Sequence, residues 1–272
     1  MTGTMIELTS TAALLDAMAS AKEIALEAYT LHGPVLRAAE EAAQRGAHVV
    51  VRLAGQPYAD RERRLAGENA RLVGQLRAAG AQAELQVGLH SKDIVVDGTL
   101  YLDGKNWHGD DLVLRDNDAT GGELAATKYD ALEDEERLLR TARATDGVIV
   151  ESESFGCCNG VYSALRALGQ SGAGPRLLVS ERELRGNQRE RRALNELERD
   201  GVRVRVCRDS EKLAVSGGSA WLGSANATVA FGKWNMIDWG ATTSNSAITG
   251  AVRARLESAW RGAKNFKPAS TT

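Results

Sequence analysis

The sequence predicts an α/β protein of two tandem halves, each a mostly parallel sheet with flanking helices. Three observations carry that expectation. A series of strand and helix patterns occurs twice in the same order, turn residues bound each pattern, and a hairpin-like stretch follows each series. With 272 residues, the chain has room for two domains of ordinary size.

In the first half, residues 24–31, 48–55 and 83–88 are short stretches rich in Val, Ile and Leu that read as strands. Residues 33–47 and 61–80 read as helices, with Leu65, Leu72 and Leu76 at seven- and four-residue spacing, one face of a helix. The second half repeats this order with strands at 147–155, 175–181 and 202–208 and helices at 159–174 and 187–201, the latter carrying Leu194 and Leu197. The second helix of each half stops at a glycine, Gly80 and Gly201, as helix C-termini often do. Hairpin-like stretches follow at 89–107 and 209–228. Each half then closes with a short strand and a helix, 111–118 and 123–139 in the first, 239–245 and 247–260 in the second. The expected division is 1–124 and 125–272. The acidic run at 133–137 reads as a solvated helix face.

Composition narrows the setting. Hydrophobic residues are 43% and charged residues 26%, values of an ordinary soluble chain. No apolar run approaches the roughly 20 residues that span a bilayer. The N-terminus lacks the basic region of a secretory signal, so a cytoplasmic protein is expected. A net charge of −2 provides no global basic field to gather nucleic acid or anionic membrane, although it leaves a local basic groove open. Cys157 and Cys158 are adjacent in a chain of three cysteines. They read as reduced, buried residues rather than a disulfide framework. The abundance of Ala, Arg and Gly fits a GC-rich bacterial genome.

One motif carries chemistry. His90, Lys92 and Asp97 form H-x-K-x4-D, followed by Gly98 and by Gly104-Lys105-Asn106-Trp107, and the second half carries Gly223-Ser224-Ala225-Asn226. Two residues apart on a strand, His90 and Lys92 point to one face. A neutral imidazole attacks a phosphodiester anion at pH 7 without prior ionisation. An ammonium beside it neutralises charge growing on the phosphoryl oxygens.

Taken with the duplicated architecture, the helix-to-strand stretch at 41–51 and the closing Ser258-Ala259-Trp260, these motifs resemble the phospholipase D superfamily from about Ile24 to Trp260. The resemblance implies two α/β halves related by a pseudo-twofold axis. It also implies a phosphodiesterase that needs no metal or cofactor. In that reading His90 is the nucleophile that becomes a phosphohistidine, Lys92 the neutralising cation, Asp97 a supporting residue and Asn106 a donor to a phosphate oxygen. The implied substrate is nucleic acid or a phospholipid. The lack of long apolar lid loops and of an amphipathic membrane-binding helix tilts the expectation to nucleic acid.

The second half departs from the pattern. A gap-free alignment that sets Gly104 on Gly223 puts Asp209, Glu211 and Ser216 where His, Lys and Asp belong. A shift of one residue puts Ser210, Lys212 and Gly217 there instead. Neither register supplies a histidine, because His32, His48, His90 and His108 all lie in the first half. Three consequences stand open. A carboxylate, Asp209 or Glu211, replaces the missing acid, with Lys212 as a second cation. Two chains pair their intact halves in a homodimer. Or the protein is a weak or inactive module that binds phosphate-containing ligands. Transfer to an alcohol in place of water is a further alternative. The turn Gly104–Trp107 is also one residue short of G-S-x-N in this alignment.

Ser224, Asn226, Asp209 and Trp107 are expected at the substrate. Trp107 and Trp234 suit a cleft wall, where indoles stack on bases, and Trp221 suits the core. The RERR clusters at 61–64 and 189–192 read first as solvated helix faces and second as phosphate contacts.

Overall fold

A computed structural model describes residues 6–57, 63–107, 109, 112–117, 125–208, 211–228 and 236–267. Two compact units emerge, Met1–Leu124 with Asn235–Trp239, and Ala125–Trp234 with Gly240–Thr272. The short segment 235–239, expected in the second half, thus counts with the first. The helix expected to close the first half belongs to the second.

The first unit contains β1 (Ile6–Thr9), α1 (Thr11–Ser20), β2 (Glu23–Ala28), α2 (Gly33–Gln44), β3 (His48–Ala54), α3 (Arg64–Ala78), β4 (Gln82–Gln86), β5 (Lys92–Val96), β6 (Thr99–Asp103) and β7 (Val113–Asp116). Its seven strands lie in the order β1-β7-β6-β5-β2-β3-β4. β2, β3 and β4 run parallel, as strands joined by helical crossovers do, and β5, β6, β7 and β1 extend the sheet antiparallel. Ile24, Leu26 and Ala28 of β2 are buried at alternate positions, together with Val49, Val51 and Leu53 of β3. Leu14, Val35, Leu72 and Leu76 of the three helices cover that face. Ser10 caps α1 by accepting from the Ala13 amide at 3.2 Å. Gly80, at φ 103°, closes α3, and the Ala81 amide returns to the Leu76 carbonyl at 3.0 Å.

The second unit contains β8 (Ala125–Thr127), α4 (Lys128–Arg140), β9 (Ile149–Ser152), α5 (Gly160–Gln170), β10 (Arg176–Ser180), α6 (Gln188–Arg199), β11 (Arg203–Cys207), β12 (Leu213–Ser216), β13 (Ser219–Gly223), β14 (Ile237–Thr243, of which residues up to Trp239 count with the first unit), α7 (Ser246–Gly262) and β15 (Lys264–Asn265). The sheet order is β15-β11-β10-β9-β12-β13-β14-β8. Thr127, Asn159, Asn187 and Asn245 cap α4, α5, α6 and α7 through side-chain oxygens. Gly201 ends α6 at φ 91°, and a Cβ there would lie 2.8 Å from the Gly169 carbonyl oxygen. No residue but glycine fits that approach. Trp221 is fully buried in this unit's core. Glu135 is also buried, at 1% exposure, which corrects the reading of residues 133–137 as uniformly solvated. Among the described residues, no helix is long and apolar enough to cross a membrane.

Strand pairing resolves the register of the repeat. In the first hairpin Val96 faces Thr99 across the Asp97–Gly98 turn, and in the second Ser216 faces Ser219 across Gly217–Gly218. Lys92 therefore corresponds to Lys212, Asp97 to Gly217, and Asp103-Gly104-Lys105-Asn106 to Gly223-Ser224-Ala225-Asn226. The setting of Gly104 on Gly223 is corrected by one position. Asn106 falls on Asn226, so the first turn is not short. The residue at the position of His90 is Ser210, which lies outside the described residues, as do Asp209, Arg61, His108 and Trp234.

Candidate active site

His90 lies two residues before β5 and is held from two sides. Its backbone amide donates to the Ile237 carbonyl at 2.9 Å, and the Ile237 amide donates to the Gly88 carbonyl at 2.8 Å. Its Nδ1 lies 2.6 Å from Oδ1 of Asp238, whose side chain is fully buried. The imidazole itself is 12% exposed. The Tyr29 ring meets it edge-on, with centroids 5.0 Å apart at 71°. Asn69 of α3 fixes Tyr29 from behind, because its Nδ2 donates to the carbonyls of Tyr29 and Ala54, each at 2.8 Å.

Lys92 opens β5 and is 1% exposed. Its ammonium sits over the Tyr29 ring, 5.5 Å from the centroid, and donates to the His90 carbonyl. Asp93, next along the strand, has its carboxyl pushed up to about 7 by burial, and the hydrogen bond from Ser91 opposes that rise.

The turn after β6 is built around Asp103. Its carboxylate accepts from the amides of Lys105 at 3.1 Å and Trp107 at 2.6 Å. Its carbonyl accepts from the Trp239 indole at 3.0 Å. Asn106 Oδ1 is buried without a hydrogen-bond partner. Trp107, expected in a cleft wall, is 2% exposed and packs in the core of the first unit. Asp103 draws its amide inward at a left-handed φ of 61°, which accounts for that placement.

Asp97 does not reach His90. It occupies the opposite end of β5, at φ 46°, in the Asp-Gly pair favoured by two-residue hairpin loops. Its carboxylate accepts from the amides of Lys22 and Glu23 at 3.0 and 2.8 Å and ties the hairpin to the start of β2.

The corresponding positions of the second unit are differently occupied. Lys212 donates to Glu153 at 2.9 Å. Strand pairing sets Glu153 where the first unit has Tyr29. The charge of this lysine is met by a carboxylate rather than by a ring. Glu211 is 3% exposed and gripped by Arg255 of α7 at 2.5 and 2.8 Å. The carboxylate that its sequence position suggests as a proton donor is thus engaged in an ion pair. Ser224 is fully buried. Asn226 accepts from the Ser154 amide at 3.3 Å. His90, Lys92 and Asn106 thus lie in the first unit, and Glu211, Lys212, Ser224 and Asn226 in the second. Asp238, Tyr29 and Asn69 are the residues the sequence did not reveal.

Comparison with known proteins gives a fold. No family model and no curated protein matches the sequence. Among solved structures, a phosphatidylserine synthase from Haemophilus influenzae Rd KW20 matches with TM-score 0.69 at 11% identity, over 96% of this chain and 87% of that one. A polyphosphate kinase from Porphyromonas gingivalis matches with TM-score 0.62 at 16% identity, over 98% of this chain. This chain spans 53% of the kinase's length. The likeness is one of fold, which this chain shares with both structures over nearly its whole length.

Proposed function

We propose that the first unit is a phosphoryl-transfer centre that works through a covalent phosphohistidine at His90. The observation that carries this reading is the 2.6 Å contact between His90 Nδ1 and Asp238. A carboxylate accepts, so the ring proton sits on Nδ1 and the lone pair on Nε2. Nε2 attacks the phosphorus of a phosphodiester, and the bond to the leaving oxygen breaks. That oxygen departs with the electron pair and takes a proton from solvent. Asp238 stabilises the cation that the ring becomes. Lys92 neutralises the phosphoryl oxygens, and the amide of Asn106 adds a donor. Water then attacks phosphorus and gives up a proton to solvent, the P–N bond breaks, and its electron pair returns to Nε2.

No step draws on a metal. The substrate class is a phosphodiester, nucleic acid in preference to phospholipid. A second reading differs only in the acceptor. Two structures that match most of the chain are a kinase and a synthase, and that supports an alcohol or phosphate as an alternative to water.

Hydrolysis of bis-p-nitrophenyl phosphate in EDTA tests the reading. Nitrophenolate leaves without an acid, so the assay does not depend on the missing second histidine. Activity that survives EDTA and disappears in His90→Asn supports the proposal. Activity undiminished in His90→Asn overturns it. Added glycerol or ethanol separates the acceptors, since transfer yields a new diester and hydrolysis does not.

A further inference from the structure

Cys157 and Cys158 lie in the loop between β9 and α5. The expectation of two buried residues does not hold, because Cys157 is half-buried and Cys158 exposed. Their sulfurs are 3.3 Å apart. Cys158 takes a left-handed φ of 70°. The loop is clamped on both sides of the pair. Asn159 Nδ2 donates to the Gly156 carbonyl at 2.8 Å and to the Ala227 carbonyl at 3.0 Å. The Gly156 amide donates to the same Ala227 carbonyl at 2.9 Å. Asn159 Oδ1 also caps α5 through the Tyr162 amide at 2.8 Å. The two thiols are therefore held side by side by a fixed frame.

That spacing selects a ligand. A disulfide needs sulfurs about 2.0 Å apart and Cα atoms at least about 4.4 Å apart, whereas neighbouring Cα atoms across a trans peptide are about 3.8 Å apart. A direct bond would strain the loop. One soft atom bound to both sulfurs through bonds of about 2.3 Å meeting near a right angle spans about 3.3 Å. No group of three or more His, Cys, Asp and Glu among the described residues could hold a metal. A tetrahedral ion that demands four protein ligands is poorly served here.

We infer that Cys157 and Cys158 form a chelating dithiol for a thiophilic centre needing only two protein sulfurs, of the monosubstituted trivalent arsenical class. The reaction is a condensation without redox change. The oxide R–As=O takes both thiol protons, two S–As bonds form, and one water leaves. The hydrogen bond between the thiols raises the pKa of Cys158 and keeps it protonated, and because both thiol protons leave in the water, the condensation releases no net proton.

Phenylarsine oxide is the probe, added to the reduced full-length chain with excess glutathione as a monothiol competitor and followed by intact mass. One adduct per chain is expected in the wild type and in Cys207→Ser, reversed by a small dithiol. Cys157→Ser and Cys158→Ser should each retain it at least about 100-fold less well, because a single sulfur loses the chelate advantage. The inference is overturned if either serine variant holds the adduct as well as the wild type. It is equally overturned if a wild-type chain whose thiols react with Ellman's reagent takes up none. Circular dichroism verifies that the variants are folded, and Cys158→Ala gives a second test at the exposed position.

Discussion

Asp238 and His90 lie 148 positions apart in sequence and 2.6 Å apart in the structure. Asp238 is a positioning residue. On the proposed mechanism it would set the ring tautomer and offset the charge of the phosphorylated imidazole. Asp238→Asn keeps the shape but loses that control. The expected result is a fall in kcat of about 10²- to 10⁴-fold with little change in KM, read from steady-state kinetics alongside an unchanged Tm.

The two lysines of the repeat should behave differently. The Lys92 ammonium contacts the Tyr29 ring and the His90 carbonyl, and that of Lys212 contacts the Glu153 carboxylate. Lys92→Met should lower kcat/KM on the order of 10²-fold or more, as loss of a charge-stabilising group does. Lys212→Met should leave kcat/KM within roughly threefold of the wild type, since that ammonium is already neutralised. Parallel kinetics of the two variants makes the comparison.

On this account Asp97 supports the fold rather than the chemistry. Asp97→Ala removes the acceptor for two backbone amides and places a Cβ residue with no local hydrogen bond at a left-handed φ. A loss of about 1 kcal/mol in unfolding free energy is expected, measured by urea titration, with kcat of the folded enzyme nearly unchanged.

Stability should fall as pH rises. Burial pushes Glu135 up to about 8 and Asp93 and Glu190 up to about 7. Their ordinary values lie near 4. Between those limits the folded chain holds protons that the unfolded chain has released. Each added pH unit therefore lowers the unfolding free energy by up to about 1.4 kcal/mol per group, and the loss ends above the folded pKa. Tm measured from pH 5 to pH 8.5 should decline, and Glu135→Gln should flatten the decline.

The legible parts of this protein are those written locally. Strand and helix patterns, the glycine stops Gly80 and Gly201, and the spacing of His90 and Lys92 all depend on residues close in sequence. The register of the second hairpin was open because Lys212 and Glu211 both suit a lysine-or-acid position. Only the pairing of Ser216 with Ser219 settles it. Asp238 left no signal, since its partner is brought to it by strand pairing at Ile237 rather than by spacing. Trp107 misled for a related reason. A tryptophan beside a motif looks like a ligand platform, and the carboxylate of Asp103 that turns it inward is identifiable only from its hydrogen bonds. Glu211 looked like an acid because Arg255, its partner, lies 44 residues away on α7.

The most direct test is to trap the covalent intermediate. The protein is mixed with bis-p-nitrophenyl phosphate, quenched in alkali, where phosphohistidine persists, and mapped by peptide mass spectrometry. The account predicts a nitrophenyl-phosphoryl adduct on His90 that forms and decays with turnover and is absent from His90→Asn. Turnover with no adduct on His90, or with the adduct on another residue, would contradict it.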